Sequence, residues 1–336
     1  MKILALCNPT SGGKPQRLDE LRAVAQRLNT AASAHMSVVA SASAQAAELA
    51  LAEHALGSDD VLLLSGGDGT IQHALSWLLT PEADGNRRAA QDLPAIALLP
   101  AGSTNMSALD INVSKNWRRA LAAFLQQLPA ALRSRAVPQL IKRSLVSVQD
   151  GDQYRAGFFV GAGAIVRGIE YCNEVLWAGG AARKERTAGL AMARTIWGVL
   201  RQQPPFDERE AMSVQNTLHT QQQTEPLNPA SGALLFACSS LDRLLMGVRP
   251  FWGAEAAEPL RYVLVERDAG LLRGLPGLLG LPGFARPVAA AGFHSHNCSR
   301  VTLRLDSAYA IDGELFKPQE GRLELDVERS LRFFVL

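Results

Sequence analysis

Apolar and polar positions fall into blocks along the first third of this chain that read as strand, helix, strand, helix. Ile3–Cys7 is a short unbroken apolar run, as expected of a strand buried on both faces. Gln16–Leu28 sets Leu18, Leu21, Ala25 and Leu28 on one side of a helix. His35–Ala40 reads as a second strand and Ser43–Leu56, rich in Ala and Leu without a breaker, as a second helix. Val61–Leu64 is again fully apolar, and Ile71, Ala74, Leu75 and Leu78 then recur at i, i+3, i+4 and i+7. Ala95–Leu99 adds a strand and Trp117–Leu128 a helix. This alternation predicts a parallel sheet with right-handed crossovers, and ligands collect at the C-terminal ends of such strands.

After Pro129 the pattern changes. Gln139–Gln149 and Tyr154–Val160 have β-type content with polar alternation, divided by the hairpin signal Asp150-Gly151-Asp152. Ala233–Ser239, Tyr262–Glu266, Val301–Leu305 and Arg322–Val327 read as further strands. Leu176–Gln203 interleaves Arg183, Lys184, Arg186, Arg194 and Arg201 with Trp177, Leu190, Ile196, Trp197 and Leu200. That suits a helix at a membrane interface, or one packed on the second domain with its charges in water. Leu271–Phe293 is apolar but too broken by Gly and Pro to span a bilayer. It would form a hydrophobic lip for a lipid tail, or a loop and short helix capping a sandwich. His294 and His296 have no neighbouring acid in the sequence and read as surface or substrate-cleft residues rather than metal ligands.

Composition narrows the class. The chain has 336 residues, enough for two domains, and is 47% hydrophobic and 20% charged. A net charge of +2 without a basic run argues against nucleic acid as a partner. Cys7, Cys172, Cys238 and Cys298 lie far apart, as buried free thiols in a reducing compartment do. The first apolar run is too short for a signal peptide, and no stretch approaches the roughly 18 apolar residues of a membrane span. A cytoplasmic protein is expected, touching a membrane only from the side.

The candidate chemistry lies in the turns. Ser65-Gly66-Gly67-Asp68-Gly69-Thr70 joins the third strand to its helix, with three glycines in four positions that let backbone approach a ligand closely. Unpaired amides and the positive end of the helix dipole there form a phosphate site in outline. Asp68 would repel phosphate, so its place there implies a cation held directly or through water, or a proton taken up. Asn8–Lys14, NPTSGGK, follows the first strand but fails the P-loop pattern, because Asn8 and Pro15 stand where Gly and Ser or Thr are required. Pro100-Ala101-Gly102-Ser103-Thr104-Asn105 is a second small-residue loop, fit to donate to phosphate or adenine edges or to cap a helix. Phe159–Gly168 fails the dinucleotide pattern at Val166. Ile311-Asp312-Gly313-Glu314 contains an Asp-Gly turn near the C-terminus.

Gly66–Thr70 resembles the nucleotide-binding loop of the diacylglycerol kinase, sphingosine kinase and NAD kinase superfamily. Asn8–Gly12, Gly102–Asn105 and Asp312–Glu314 occur in the order of the lipid kinase landmarks, so the resemblance to the diacylglycerol/sphingosine kinase family spans essentially the whole chain. It implies a Rossmann-like α/β nucleotide-binding domain with a parallel sheet, residues 1–135 plus a returning tail near 329–336, and a C-terminal β-sandwich lipid domain, residues 136–328. It implies transfer of the ATP γ-phosphoryl group to a lipid hydroxyl, with diacylglycerol, a sphingoid base or ceramide among the acceptors. Asn8, Ser11, Gly12, Gly66, Gly67, Asp68, Gly69, Thr70, Gly102, Ser103, Thr104 and Asn105 would bind nucleotide. Asp312, as the catalytic base, and Asp68 would be the catalytic residues, and Asp68 with Glu314 would hold Mg²⁺. Met106 departs from the acid that many members carry after the Asn, which leaves a family-like second metal site in question. A NAD kinase, which would use the loop Asp as base, and an inactive lipid- or nucleotide-binding scaffold are the alternatives. An exposed strand edge would allow two copies to pair.

Overall fold

The computed structural model describes residues 1–31, 34–81, 88–102, 111, 113–132, 138–171, 173–174, 194, 197–198, 201, 203–204, 206, 208, 210–218, 223–241, 244, 248–253, 258–281, 283–327 and 330–336. They form two compact units, one of Met1–Ser144 with Arg329–Leu336 and one of Leu145–Glu328. Ser103, Thr104, Asn105, Met106, Cys172 and most of Leu176–Gln203 lie outside the described residues.

In the first unit the strands are β1 (Lys2–Cys7), β2 (His35–Ala40), β3 (Val61–Gly66), β4 (Ala95–Pro100) and β5 (Leu140–Arg143), with the chain's last strand, β17 (Leu331–Phe334), returning to join them. The helices are α1 (Gln16–Thr30), α2 (Ala44–His54), α3 (Asp68–Leu79) and α4 (Trp117–Leu132). The sheet order is β2-β1-β3-β4-β17-β5, parallel from β2 through β17 and antiparallel only at β5. Its apolar strands are buried on both faces, as their unbroken hydrophobic runs predict: β3 and β4 are buried at every position. Leu331, Phe333 and Phe334 give β17 its reason to return, since all three are at most 1% exposed. Ser43 caps α2 by accepting the Ala46 amide at 3.2 Å.

Two boundaries differ from the sequence pattern. The β3–α3 turn is shorter than the six residues Ser65–Thr70, because Ser65 and Gly66 stay in the sheet opposite Leu99 and Pro100, and Gly67 O already accepts the Ile71 amide as the first helical bond. Pro129 does not end α4, which runs on to Leu132.

The second unit holds β6 (Val146–Asp150), β7 (Gln153–Gly157), β8 (Phe159–Gly163), β9 (Met212–Thr217), β10 (Ala233–Ser239), β11 (Leu260–Glu266), β12 (Phe293–Cys298), β13 (Arg300–Leu305), β14 (Tyr309–Ile311), β15 (Glu314–Phe316) and β16 (Arg322–Val327). They make two antiparallel sheets, β12-β11-β10-β8-β14-β15 and β7-β6-β16-β13-β9. Alternate side chains of both, among them Val148, Val160, Phe236, Leu264, Val301, Leu303 and Leu325, meet in one core, which makes the unit a β-sandwich. The other face of the larger sheet is covered by α5 (Ala164–Tyr171) and α6 (Leu271–Leu278), through Ala164, Leu278, Phe293 and their neighbours. The Leu271–Phe293 stretch therefore supplies a short helix that caps the sandwich. Cys7, Cys238 and Cys298 are buried and form no disulfide; burial pushes the Cys7 thiol up and the Cys238 thiol well up from their ordinary values.

Candidate functional site

In the first unit, the chain steps from β1 outward to β2 and then back across β1 to β3, so the connections leaving β1 and β3 diverge. A crevice at such a switch point is where open α/β sheets bind ligands. The Asn8–Gly13 turn leaves β1 at that place and the Gly67 turn leaves β3.

These turns approach closely, and at Gly12 and Gly66 no Cβ fits. Gly12 has φ +64°, and a Cβ there would stand 2.4 Å from the Ala101 carbonyl oxygen. A Cβ on Gly66 would come within 2.5 Å of Thr70 Cβ, and one on Gly67 would lie 3.4 Å from Gly102 Cα and 4.0 Å from Ser11 Oγ. The turns after β1, β3 and β4 are thus pressed together backbone to backbone, and Asn8, Ser11, Gly12, Gly66, Gly67, Thr70 and Gly102 share one neighbourhood.

Hydrogen bonds fix it. Asn8 Nδ2 donates to Thr70 Oγ1 at 3.1 Å, while Asn8 Oδ1 accepts the Thr10 amide at 3.0 Å and the Thr10 hydroxyl at 2.7 Å. The Asn8 amide donates to Ser65 O and the Ala101 amide to Gly66 O. Arg17, half-buried beneath the turns, donates through Nη1 to Ala101 O at 3.2 Å and to Ser11 O at 3.5 Å, with its guanidinium 5.7 Å from the centre of the Trp117 ring. Burial lowers the Arg17 pKa from its ordinary value. Trp117 Nε1 donates to Ser65 Oγ at 2.8 Å, so Ser65 serves the framework. Asp68, Gly69 and Thr70 make the first turn of α3, where the helix dipole favours negative charge; Asp68 is 7% exposed.

Sequence patterns alone did not disclose Arg17. Its signal, a basic residue in the first turn of α1, is common to many surface helices.

In the second unit, Asp312 and Gly313 form the two-residue turn between β14 and β15, with φ +49° and +94°. Positive φ at both places is what a type I′ hairpin requires, and a non-glycine residue there is disfavoured by roughly 1–2 kcal/mol. Asp312 holds it because its carboxylate is caught from the next strand connection. Oδ1 accepts the Phe159 amide at 2.9 Å and the Phe158 amide at 3.1 Å, Oδ2 accepts the Phe158 amide at 3.0 Å, and the Asp312 amide donates back to Phe159 O. The side chain is 5% exposed. Gly157 leaves room for it: a Cβ there would fall 2.7 Å from Asp312 Oδ2 and 2.4 Å from Ile311 Cγ2.

The base of the hairpin is also pinned. Tyr309 hydroxyl donates to the buried Asp150 carboxylate at 3.0 Å and accepts from Arg155 at 3.1 Å, and Arg155 stacks 4.4 Å over Phe316, the residue opposite Tyr309. Burial raises the Tyr309 phenol's pKa above its ordinary value. Glu314 begins β15 and is exposed. Among the described residues no three His, Cys, Asp or Glu side chains gather as a metal site. His294 is paired with Glu266 at 2.8 Å, and His296 lies against the Tyr262 ring.

Residues 2–134 match the family model of the diacylglycerol kinase catalytic domain. The matched stretch falls within the N-terminal unit. The kinase-domain resemblance expected from the Gly66–Thr70 turn is therefore found again over nearly all of this unit. No curated protein matches the sequence. The whole chain is similar in fold to two solved proteins of Bacillus anthracis str. Sterne. One is a diacylglycerol kinase, at 13% identity and TM-score 0.58, covering 99% of this chain and 96% of that one. The other, provisionally named a diacylglycerol kinase, is 14% identical with a TM-score of 0.62, covering 100% and 97%. At that identity the likeness is one of fold, an α/β unit and a β-sandwich, and the family-model match lies in the first of them.

Proposed function

We propose that this protein is an ATP-dependent lipid kinase, transferring the γ-phosphoryl group to a hydroxyl of a diacylglycerol-type acceptor. The observation that carries the reading is the meeting of the turns after β1, β3 and β4, where Gly12 and Gly66 leave no room for a Cβ, Gly67 lies beside Gly102, and backbone amides can close on phosphate. Ser103, Thr104 and Asn105 follow Gly102 in the sequence and belong to the same proposed nucleotide site. Mg²⁺ binds through one or two carboxylates plus substrate phosphates, and Asp68 with Glu314 in support suits that demand. The ion would neutralise charge on the phosphates. Asp312 is the base in this reading: the acceptor oxygen forms its bond to the γ-phosphorus, the bond to the β-phosphate oxygen breaks, and the hydroxyl proton passes to the carboxylate.

An acceptor with acyl chains calls for contact with a bilayer. Among the described residues, Leu281, Phe284 and Val288 are three of the six exposed large hydrophobics, at 46%, 58% and 61% exposure. The segment is held firmly, since Arg286 donates to Gly277 O at 2.8 Å and to Arg249 O at 2.7 Å. No Asp or Glu occurs between Asp268 and Asp306, whereas Arg273, Arg286, Arg300 and Arg304 do. An apolar tip on an acid-free basic segment suits an anionic bilayer.

The test is incubation with γ-labelled ATP, Mg²⁺ and detergent-dispersed lipids, followed by separation of the organic phase. Label is expected in a diacylglycerol; label in a sphingoid base or ceramide would reassign the acceptor. Formation of NADP from NAD, with no labelled lipid, would overturn the reading in favour of a NAD kinase. ATP binding with neither product would leave a nucleotide-binding scaffold.

A further inference from the structure

We propose that Ser239 is a positioning residue for phosphoryl transfer, acting on Asp312 through a single peptide group. This rests on the reading of Asp312 as the proton acceptor. Ser239 is the last residue of β10, Ala-Leu-Leu-Phe-Ala-Cys-Ser, and the one polar side chain in it. It is fully buried and lies opposite Phe159 in the β10–β8 register. Its hydroxyl donates to Phe158 O at 2.7 Å and accepts the Leu241 amide at 3.0 Å.

Phe158 O and the Phe159 amide belong to the same peptide unit. That amide is the donor that meets Asp312 Oδ1 at 2.9 Å. Four groups therefore point one way, from the Leu241 N–H to the Ser239 O–H, through the Phe158–Phe159 peptide, to the Asp312 carboxylate. A peptide is a planar, conjugated unit, so a proton offered to its oxygen strengthens its N–H as a donor. The Ser239 hydroxyl thereby holds the Phe159 amide in place and sharpens its grip on a carboxylate that sits in the left-handed region. A strand in this position needs no hydroxyl for its sheet bonds or its packing. The side chain's two hydrogen bonds lead to Asp312 instead.

The test compares Ser239→Ala and Ser239→Cys with the wild-type chain, using ATP and the lipid that takes label. Cys matches the shape of Ser but is a weak donor. The expected result is a kcat about tenfold lower for Ser239→Ala, the cost of roughly one neutral hydrogen bond. Ser239→Cys should fall between the two, with KM for ATP and for lipid unchanged in both. If the Ala variant does not fold, the Cys variant carries the test through the same split of kcat from KM. Wild-type kcat in both folded variants, or a loss appearing in KM for ATP rather than in kcat, would overturn the proposal. Asp312→Asn separates the two failures. If it is inactive while Ser239→Ala is fully active, the relay is wrong; if it turns over lipid normally, the assignment of Asp312 itself is wrong.

Discussion

Asn8 donates its side-chain amide to Thr70 Oγ1 at 3.1 Å, joining the turn after the first strand to the first turn of α3 across 62 residues of sequence. Asn8 reads the turn on both sides, because its oxygen also takes the Thr10 amide and hydroxyl. Asn8→Ala and Thr70→Val should each weaken MgATP binding several-fold, about 1 kcal/mol per lost hydrogen bond. Thr70→Ser, which keeps the hydroxyl, should bind as the wild type does. Isothermal titration calorimetry checks this; undiminished affinity in both Asn8→Ala and Thr70→Val would remove these residues from the nucleotide site.

Gly12 is the most constrained point of the cradle. With φ +64° and the Ala101 oxygen 2.4 Å from any Cβ, Gly12→Ala must move one turn away from another. The expected cost is roughly 1–3 kcal/mol of stability, with loss of nucleotide affinity. Gly57→Ala is the control, since its nearest neighbour would be Asp60 Oδ2 at 3.9 Å. Thermal melts with and without MgATP compare the two, and equal melting temperatures and equal nucleotide shifts would contradict the packing argument.

Gly157→Ala should act in the other unit. Its new methyl would press on Asp312 Oδ2 and Ile311, so the hairpin turn must shift. Lipid phosphorylation should fall by tenfold or more, on the order of the effect of losing a general base's alignment, while MgATP affinity stays unchanged. Weakened nucleotide binding with normal turnover would contradict this division of labour.

Phe284→Ser with Val288→Ser should reduce sedimentation with anionic phosphatidylglycerol vesicles and leave the melting temperature unchanged, because both side chains are more than half exposed. Equal sedimentation of variant and wild type would place membrane contact elsewhere.

The first unit was largely legible in the sequence because its strands are buried on both faces, and unbroken runs such as Val61–Leu64 admit few other readings. The glycines of the β3–α3 turn were legible too, but not their division, since sheet pairing at Gly66 and the helix start at Asp68 depend on β4 alongside. The surroundings of Asp312 were far less so. Asp312 could be named from a motif, whereas Gly157, the Phe158 and Phe159 amides and Ser239 carry no local signal; they come from two other places in the chain and are brought together only by the β10–β8–β14 order. Backbone donors leave no trace in residue identity, and a buried Ser at a strand end looks like any other.

Asp312→Asn is the variant that tests the account most directly, assayed for MgATP affinity and for transfer of γ-label to lipid in the same preparation. Asn keeps an oxygen for the Phe159 amide and gives up the carboxylate charge. The account predicts wild-type nucleotide affinity and a turnover reduced by about a hundredfold or more. Turnover near the wild-type rate would contradict it, and would remove Asp312 from the chemistry that the rest of the site is built to serve.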